Sequence, residues 1–279
     1  MDGRYTLNIR GRLLDLSRPL VMGILNCTPD SFYAASRVQT EEAIAQRARQ
    51  IAAQGGTIVD VGACSTRPGS TPVGEEEEMA RLRLALAVVR REQPGVVLSV
   101  DTYRPNVARM AVEEFGADII NDVQAPSPAT IHPSPATIHP HEMLRTVAQL
   151  GVPYILMSAE PTLHDVLLDF ARRVQMLRDL GQKDIILDPG FGFGKTVEQN
   201  YDLLFHLDRL QVMDLPVLVG LSRKSMIWKK LAVTPEEALN GTTALHTVAL
   251  MKGASILRVH DVKEAVECVN LISHSSFLI

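Results

Sequence analysis

The chain is poor in several things. It has three cysteines, Cys27, Cys64 and Cys268. Three cannot all pair with one another, and they match no metal-ligand spacing, so neither a disulfide framework nor a zinc site is expected; a reduced, cytoplasmic protein is. No run reaches the roughly 18 apolar residues of a transmembrane helix, so no membrane association is expected. The amino-terminal MDGRYTLNIRGRLLDL lacks the apolar core of a signal peptide. Basic charge is not in excess: the net charge is −4, which argues against a nucleic-acid partner. A local anion pocket stays compatible with that balance.

What is present has the size and rhythm of one α/β barrel. At 279 residues and 46% apolar content, residues 1–279 fit a single (β/α)8 domain, commonly about 250 residues long. Short apolar runs alternate with stretches of helical period. The runs predicted as strands are 20–25, 58–62, 96–101, 119–122, 154–157, 185–188, 217–221 and 256–259. Near-continuous apolarity marks strands buried on both faces, hence a parallel sheet. The helices between them carry terminal signals. Thr40 is predicted to cap EEAIAQRARQIAAQ, which ends at Gly55-Gly56. EEEEMARLRLALAVVRRE runs from acidic to basic, and Pro105 and Pro235 suit first helical turns, with Thr234 predicted as the cap before Pro235. TLNIRGRLLDL reads as a hairpin turning at Gly11 that could cover the barrel bottom. Residues 127–140 are a tandem SPATIHP heptad whose four prolines predict an irregular loop at 124–140, either a duplicated stretch of loop or a lid.

In a barrel the site is built at the carboxyl ends of the strands, and polar motifs cluster there. The ends carry Asn26-Cys27-Thr28-Pro29-Asp30-Ser31-Phe32, Cys64-Ser65-Thr66-Arg67-Pro68-Gly69, Asp101-Thr102, Asn121-Asp122, Asp188-Pro189-Gly190-Phe191-Gly192-Phe193-Gly194-Lys195, Gly220-Leu221-Ser222-Arg223-Lys224-Ser225 and Arg258-Val259-His260-Asp261. Arg67, Arg258 and His260 suit a pyrophosphate or another anion. Asp101, Asn121, Asp188 and Lys224 suit a flat, nitrogen-rich heterocycle, since a carboxylate accepts two N–H bonds from an amino-pyrimidinone edge. A helix starting near Ser225 would offer backbone N–H groups to a carboxylate. Blander readings compete: Asp30 and Asp122 as loop caps, Lys195 as a solvated loop residue, Phe191 as core. GFGFGK lacks the spacing of a P-loop.

These residues carry a resemblance. MGILNCTPDSF, DVGACSTRPG, SVDTYRP, IINDV, ILDPGFGFGK, GLSRKSMI and RVHDV occur in order across essentially the whole chain, and they resemble the signatures of the dihydropteroate synthases. The resemblance implies condensation of 6-hydroxymethyl-7,8-dihydropterin pyrophosphate with p-aminobenzoate, with Mg2+ accompanying the pyrophosphate. It implies that Asp101, Asn121, Asp188, Lys224 and Gly220 hold the pterin. Asn26, Arg67, Arg258 and His260 would handle the pyrophosphate, with Asn26 on the metal. Thr66, Arg67, Pro68, Phe193 and Ser225 would form the p-aminobenzoate pocket. Asp30, on a closing loop, joins Asp101, Lys224, Arg258 and His260 as a catalytic candidate. Sulfonamides as competitors, a homodimer, and no nucleic-acid or membrane partner are further implications.

The chain departs from the family pattern at three places. Tyr33-Ala34-Ala35-Ser36-Arg37 follows Asp-Ser-Phe, Ser158-Ala159 stands where a His-Met pair is usual, and Gln124-Ala125-Pro126 with the repeat replaces a Gly-rich turn. Two alternatives remain. A pterin-dependent methyltransferase with a corrinoid partner would not need STRPG or SRKS. A non-catalytic pterin-binding protein would not need the anion set Asn26, Arg67, Lys224, Arg258 and His260.

Overall fold

The computed structural model describes residues 5–27, 37–63, 73–123 and 140–273. The repeat loop, Cys64, Asp30, Phe32, Thr66, Arg67 and Pro68 lie outside the described residues.

The predicted hairpin forms from β1 (Thr6–Ile9) and β2 (Arg12–Asp15), which pair antiparallel around Arg10 and Gly11, both at positive φ. Two left-handed residues in a two-residue turn match the right-handed twist of the strands they join. Eight strands follow: β3 (Leu20–Asn26), β4 (Ile58–Gly62), β5 (Val97–Asp101), β6 (Ile119–Asp122), β7 (Tyr154–Met157), β8 (Ile185–Asp188), β9 (Leu218–Val219) and β10 (Ile256–Val259). They form one parallel sheet in the order β8-β7-β6-β5-β4-β3-β10-β9. A single bridge, Leu187 to Val217, joins the two edges into a barrel. The predicted seventh strand, 217–221, is the one that shrinks. Its ladder stops after Val219, because Leu221 to Lys224 turn, with the Lys224 N–H bonding the Leu221 carbonyl at 3.1 Å.

Between the strands lie α1 (Arg37–Ala53), α2 (Glu75–Glu92), α3 (Pro105–Phe115), α4 (Pro140–Leu150), α5 (Leu163–Asp179), α6 (Val197–Phe205), α7 (Ser225–Leu231), α8 (Leu239–Met251) and α9 (Val262–Ser273). Pro105 opens α3, as its fixed φ favours. Two cap predictions fail. Thr40 sits inside α1 and is buried, so tertiary packing outweighs its local preference for a helix end. Thr234 caps only a turn: its N–H bonds the Glu237 carboxylate at 3.0 Å and its carbonyl accepts the Glu237 N–H, while α8 begins at Leu239.

The register sorts the strand residues by parity. Met22, Ile58, Ile119, Ile155, Ile186, Leu218 and Ile256 face inward and cluster with Leu7, Ile9 and Leu16 around the hairpin. The hairpin therefore closes the barrel bottom. The alternate positions, such as Val59, Val61, Leu98, Val100, Ile120, Leu156 and Leu257, pack outward in the cluster shared with the helices. Two positions further along, four of these rows turn polar, at Asp60, Asn121, Asp188 and Arg258, while Ile24, Met157 and Gly220 stand on the others.

Candidate active site

Strand pairing lays three of the predicted residues across the mouth, with Gly62 between two of them. Asn26 pairs with Gly62, Gly62 with Asp101, and Asp101 with Asn121. Gly62 supplies the gap between them: a Cβ there would lie 3.3 Å from Asp101 Cβ and 3.6 Å from Asn26 Oδ1. One level below, Asp60 pairs with Ser99.

Arg258, on β10, reaches across the barrel interior. Its Nε donates to Asp60 Oδ2 at 2.7 Å and its Nη2 to Asp101 Oδ2 at 2.7 Å; neither bond uses Nη1. Asp60 is fully buried and also accepts from Ser99 Oγ at 2.6 Å and from Asn121 Nδ2 at 3.1 Å. Three donors thus meet on one carboxylate, which makes a buried charge tolerable. Burial raises the Asp101 pKa; Arg258 opposes this, and the neighbouring Asp60, Asp122 and Glu78 add to the rise. Burial also works against the Arg258 charge, but Asp60 and Asp101 outweigh it and hold the guanidinium protonated. Asn121 Oδ1 is left over, buried with no hydrogen-bond partner among the described residues.

The β8 end forms the second cluster. Asp188 is buried and accepts from the Gly190 N–H at 2.8 Å. Burial raises its pKa against the pull of Lys224. Lys224 directly precedes α7, donates to the Phe191 carbonyl, and lies 4.5 Å from the centre of the Phe193 ring. Burial pushes the Lys224 ammonium down to about 8, with Asp188 opposing. The turn that presents it strains Arg223 into the left-handed region, at φ 55°. A bidentate bond from Arg223 to Asp261, 2.8 Å on each arm, holds that turn to the end of β10. Ser225 is the first residue of α7. Gly220 follows β9 beside Arg258: a Cβ on it would meet Arg258 Cβ at 3.8 Å.

The pyrophosphate candidates are less tightly joined. His260 does not bond Arg258; its backbone N–H donates to Ser222 Oγ at 3.2 Å and its Nδ1 lies 3.3 Å from the same hydroxyl. Arg47 of α1 donates to the carbonyls of Ile24 and His260, at 3.1 and 2.7 Å, and so ties β3 to the end of β10. A cavity of about 350 Å³ there is lined by Asn26, Thr40, Arg47 and His260 among others. Among the described residues, no group of three or more His, Cys, Asp or Glu side chains could hold a metal ion. Cys27, beside Asn26, is unpaired and buried, and burial pushes its thiol up to about 12, which makes it unreactive at neutral pH.

Comparison with known proteins decides the family. The model of the pterin binding enzyme family matches residues 22–260. The chain is 39% identical to the dihydropteroate synthase of Escherichia coli strain K12, over 94% of each chain. The chain belongs to the dihydropteroate synthases, which are transferases. Solved structures of that family superpose over nearly its full length. The Xanthomonas albilineans dihydropteroate synthase with 4-aminobenzoic acid gives a TM-score of 0.84 at 38% identity, covering 97% of each chain. The Yersinia pestis dihydropteroate synthase with a sulfonamide drug gives 0.81 at 37% identity, covering 96% of this chain and 98% of that one.

For a dihydropteroate synthase, three polar residues of this mouth receive no role in the sequence reading, although two of them stand in its motifs. Asp60 lies between Val59 and Val61 in a run that otherwise reads as core; its signal is a lone carboxylate in a strand buried on both faces, which demands partners. Ser222 and Arg47 carry no signal beyond their residue type. Lys195 corrects an expectation. Its side chain is half-buried, and its ammonium donates to the carbonyls of Gly190, Ser158 and Phe193 at 3.1, 3.3 and 3.3 Å.

Proposed function

We propose that this chain condenses 6-hydroxymethyl-7,8-dihydropterin pyrophosphate with p-aminobenzoate, releasing pyrophosphate and forming 7,8-dihydropteroate in folate biosynthesis. The observation that carries the reading is the buried Asn121 Oδ1, without a partner among the described residues, next to Asp101 in the strand pairing and in the same barrel mouth as Asp188. An unmet buried acceptor costs about 1–3 kcal/mol, which a ligand N–H recovers. Acceptors on two sides of one barrel mouth complement a flat heterocycle rich in N–H groups. Lys224 supplies a cation to its carbonyl edge.

In the reaction, the bond from the pterin methylene to the pyrophosphate oxygen breaks, and its electron pair leaves with pyrophosphate. The arylamine nitrogen then bonds the methylene and loses a proton to solvent. Asp101 stabilises positive charge developing on the pterin, and Arg258 and His260 receive the leaving anion. No enzyme nucleophile is needed. Phe193 and Ser225 belong to the p-aminobenzoate side, with Thr66, Arg67 and Pro68 added by resemblance, and Asp30 by resemblance to the loop that excludes water. Mg2+ fits Asn26: a single neutral amide oxygen on the Asp101 row, without a carboxylate cluster, suits an ion held mainly by phosphate oxygens and water. When bound, the ion would neutralise charge on the leaving group.

Sulfonamides should compete with p-aminobenzoate, as the complex of the Yersinia pestis relative with a sulfonamide drug supports. Exposed Phe205, Met251 and Leu271, on α6, α8 and α9, support a homodimer through these neighbouring helices. Unpaired Cys27 and Cys268 support a reducing, cytoplasmic location. Among the described residues, no helix is long and apolar enough to cross a membrane.

The test is pyrophosphate release with Mg2+ and both substrates. Release should require p-aminobenzoate, and Lys224→Ala should lower kcat/KM on the order of 100-fold. Activity should also fall as pH rises through about 8, where Lys224 loses its charge. A parent protein that releases no pyrophosphate would refute the reading.

A further inference from the structure

We propose that Lys195 is a positioning residue for the arylamine substrate: it staples the glycine-rich loop after β8 to the end of β7 and thereby sets the Phe193 ring. The proposal rests on the functional reading above for the identity of that substrate, but its geometric part stands without it.

Three carbonyls converge on one ammonium. Gly190 and Phe193 belong to the loop itself, at 3.1 and 3.3 Å, and Ser158 belongs to the adjacent strand end, at 3.3 Å. A Lys ammonium has three N–H donors, so this set uses all of them. The loop is held on its other sides by Asp188, which accepts from the Gly190 N–H at 2.8 Å, by Asn200 Oδ1, which accepts from the Gly192 N–H at 2.7 Å, and by Lys224, which donates to the Phe191 carbonyl; Lys195 adds the tie to the end of β7. The loop is Pro189-Gly190-Phe191-Gly192-Phe193-Gly194, and three alternate glycines leave the backbone many conformations. Gly190, at φ 68°, lies so close to the β7 end that a Cβ would fall 2.2 Å from the Ser158 oxygen. The loop is thus laid directly on the Ser158 backbone, and Lys195 bonds the same oxygen.

The position matters because of what stands there. Ser158 is buried, and its N–H bonds the Asp188 carbonyl at 2.9 Å. With Ser158-Ala159 in place of larger side chains, the β7 end offers the loop backbone and little side-chain surface. Lys195 adds a charged tether to that backbone contact. Its field reaches further: Asp188 and Glu160 both favour its charge against burial, and its own charge disfavours that of Lys224. The consequence falls on Phe193, whose carbonyl is one of the three acceptors and whose ring stacks on Lys224.

Two measurements on Lys195→Met, which keeps the aliphatic stem and removes the donors, decide the matter. In the unliganded protein, hydrogen exchange of the 190–195 amides should accelerate about tenfold while the barrel strands stay unchanged. In steady-state kinetics, KM for p-aminobenzoate should rise about tenfold and KM for the pterin pyrophosphate should move less than about twofold. In a Phe193→Ala background, Lys195→Met should have no further effect on KM for p-aminobenzoate, because both act through one ring. Unchanged exchange in the loop overturns the staple, whether or not the protein turns over. Faster exchange with equal losses toward both substrates, or with additive effects in the double variant, overturns the role toward the arylamine. Absence of turnover in the parent refutes the functional reading and with it the substrate assignment, while the exchange result still decides the staple.

Discussion

The floor and the mouth of this barrel are made by the same strands at the same period of two, yet they obey different rules. At the floor, Met22, Ile58, Ile119, Ile155, Ile186, Leu218 and Ile256 fill the interior with branched or long apolar side chains and meet the hairpin. At the mouth, the inward rows read Asn26, Gly62, Asp101, Asn121, Met157, Asp188, Gly220 and Arg258, polar or glycine at every position but Met157. The floor gains free energy from every side chain removed from water. The mouth holds buried charges, a strained Arg223 and an unmet amide oxygen, each of which favours unfolding unless a partner is supplied. The two ends divide the work: one keeps the barrel folded so that the other can stay incomplete until substrate arrives.

Three substitutions test how sharp that division is. Arg258→Leu should have the largest effect, because it strands Asp60 and Asp101 together in a buried site. Unfolding in urea should register a loss of about 3–5 kcal/mol, and pyrophosphate release should vanish with it. A loss under about 1 kcal/mol would mean that the carboxylates pick up protons at little cost, and that the mouth is less strained than its geometry implies. Ile155→Ala, at the floor, should cost about 3 kcal/mol of stability through the cavity it leaves. Its turnover should stay near the parent value at temperatures where the variant is folded. A parallel fall in kcat would break the comparison by showing that the floor shapes the mouth.

The smallest effect concerns neither end. His246 on α8 is buried with Nε2 unpartnered, and burial lowers its pKa from 6.5 to about 4. Below pH 6.5 the unfolded chain therefore binds a proton that the folded chain refuses, so stability falls as pH drops from there toward 4. The loss should reach about 2 kcal/mol at pH 5, and His246→Leu should remove that part of the slope in denaturant titrations between pH 7 and 5. A parent and variant with the same pH slope would place the acid sensitivity elsewhere, in the carboxylates of the mouth.

Much of this layout could be read before any coordinates. Strands buried on both faces announce themselves by continuous apolarity, and seven of the eight runs hold to within a residue or so. That same continuity hides parity: in Ile58-Val59-Asp60-Val61-Gly62 nothing local says which residues face inward, so the sequence assigns Asp60 no role although it joins Arg258, Asn121 and Ser99. Lys195 was misjudged for a related reason. A lysine after a glycine-rich turn reads as exposed, and its three acceptors meet only once β7 and β8 are side by side. Thr40 and Thr234 show local cap preference yielding to burial in one case and to a tighter turn in the other. The polar residues at strand ends were legible because a barrel has only one face on which such residues converge.

The single bridge between Leu187 and Val217 gives the ring of strands a seam. Asp188 stands on one side of it, Gly220 and Lys224 on the other. A heterocycle held by Asp188 and Lys224 would span that seam as an extra rung, so a pterin bound there would act on this fold as a clasp as well as a reactant. Ligand binding to the closed ring alone adds RT ln(1 + [L]/Kd) to its stability, and slower exchange at the Leu187 and Ser158 amides on adding pterin would report the clasp closing.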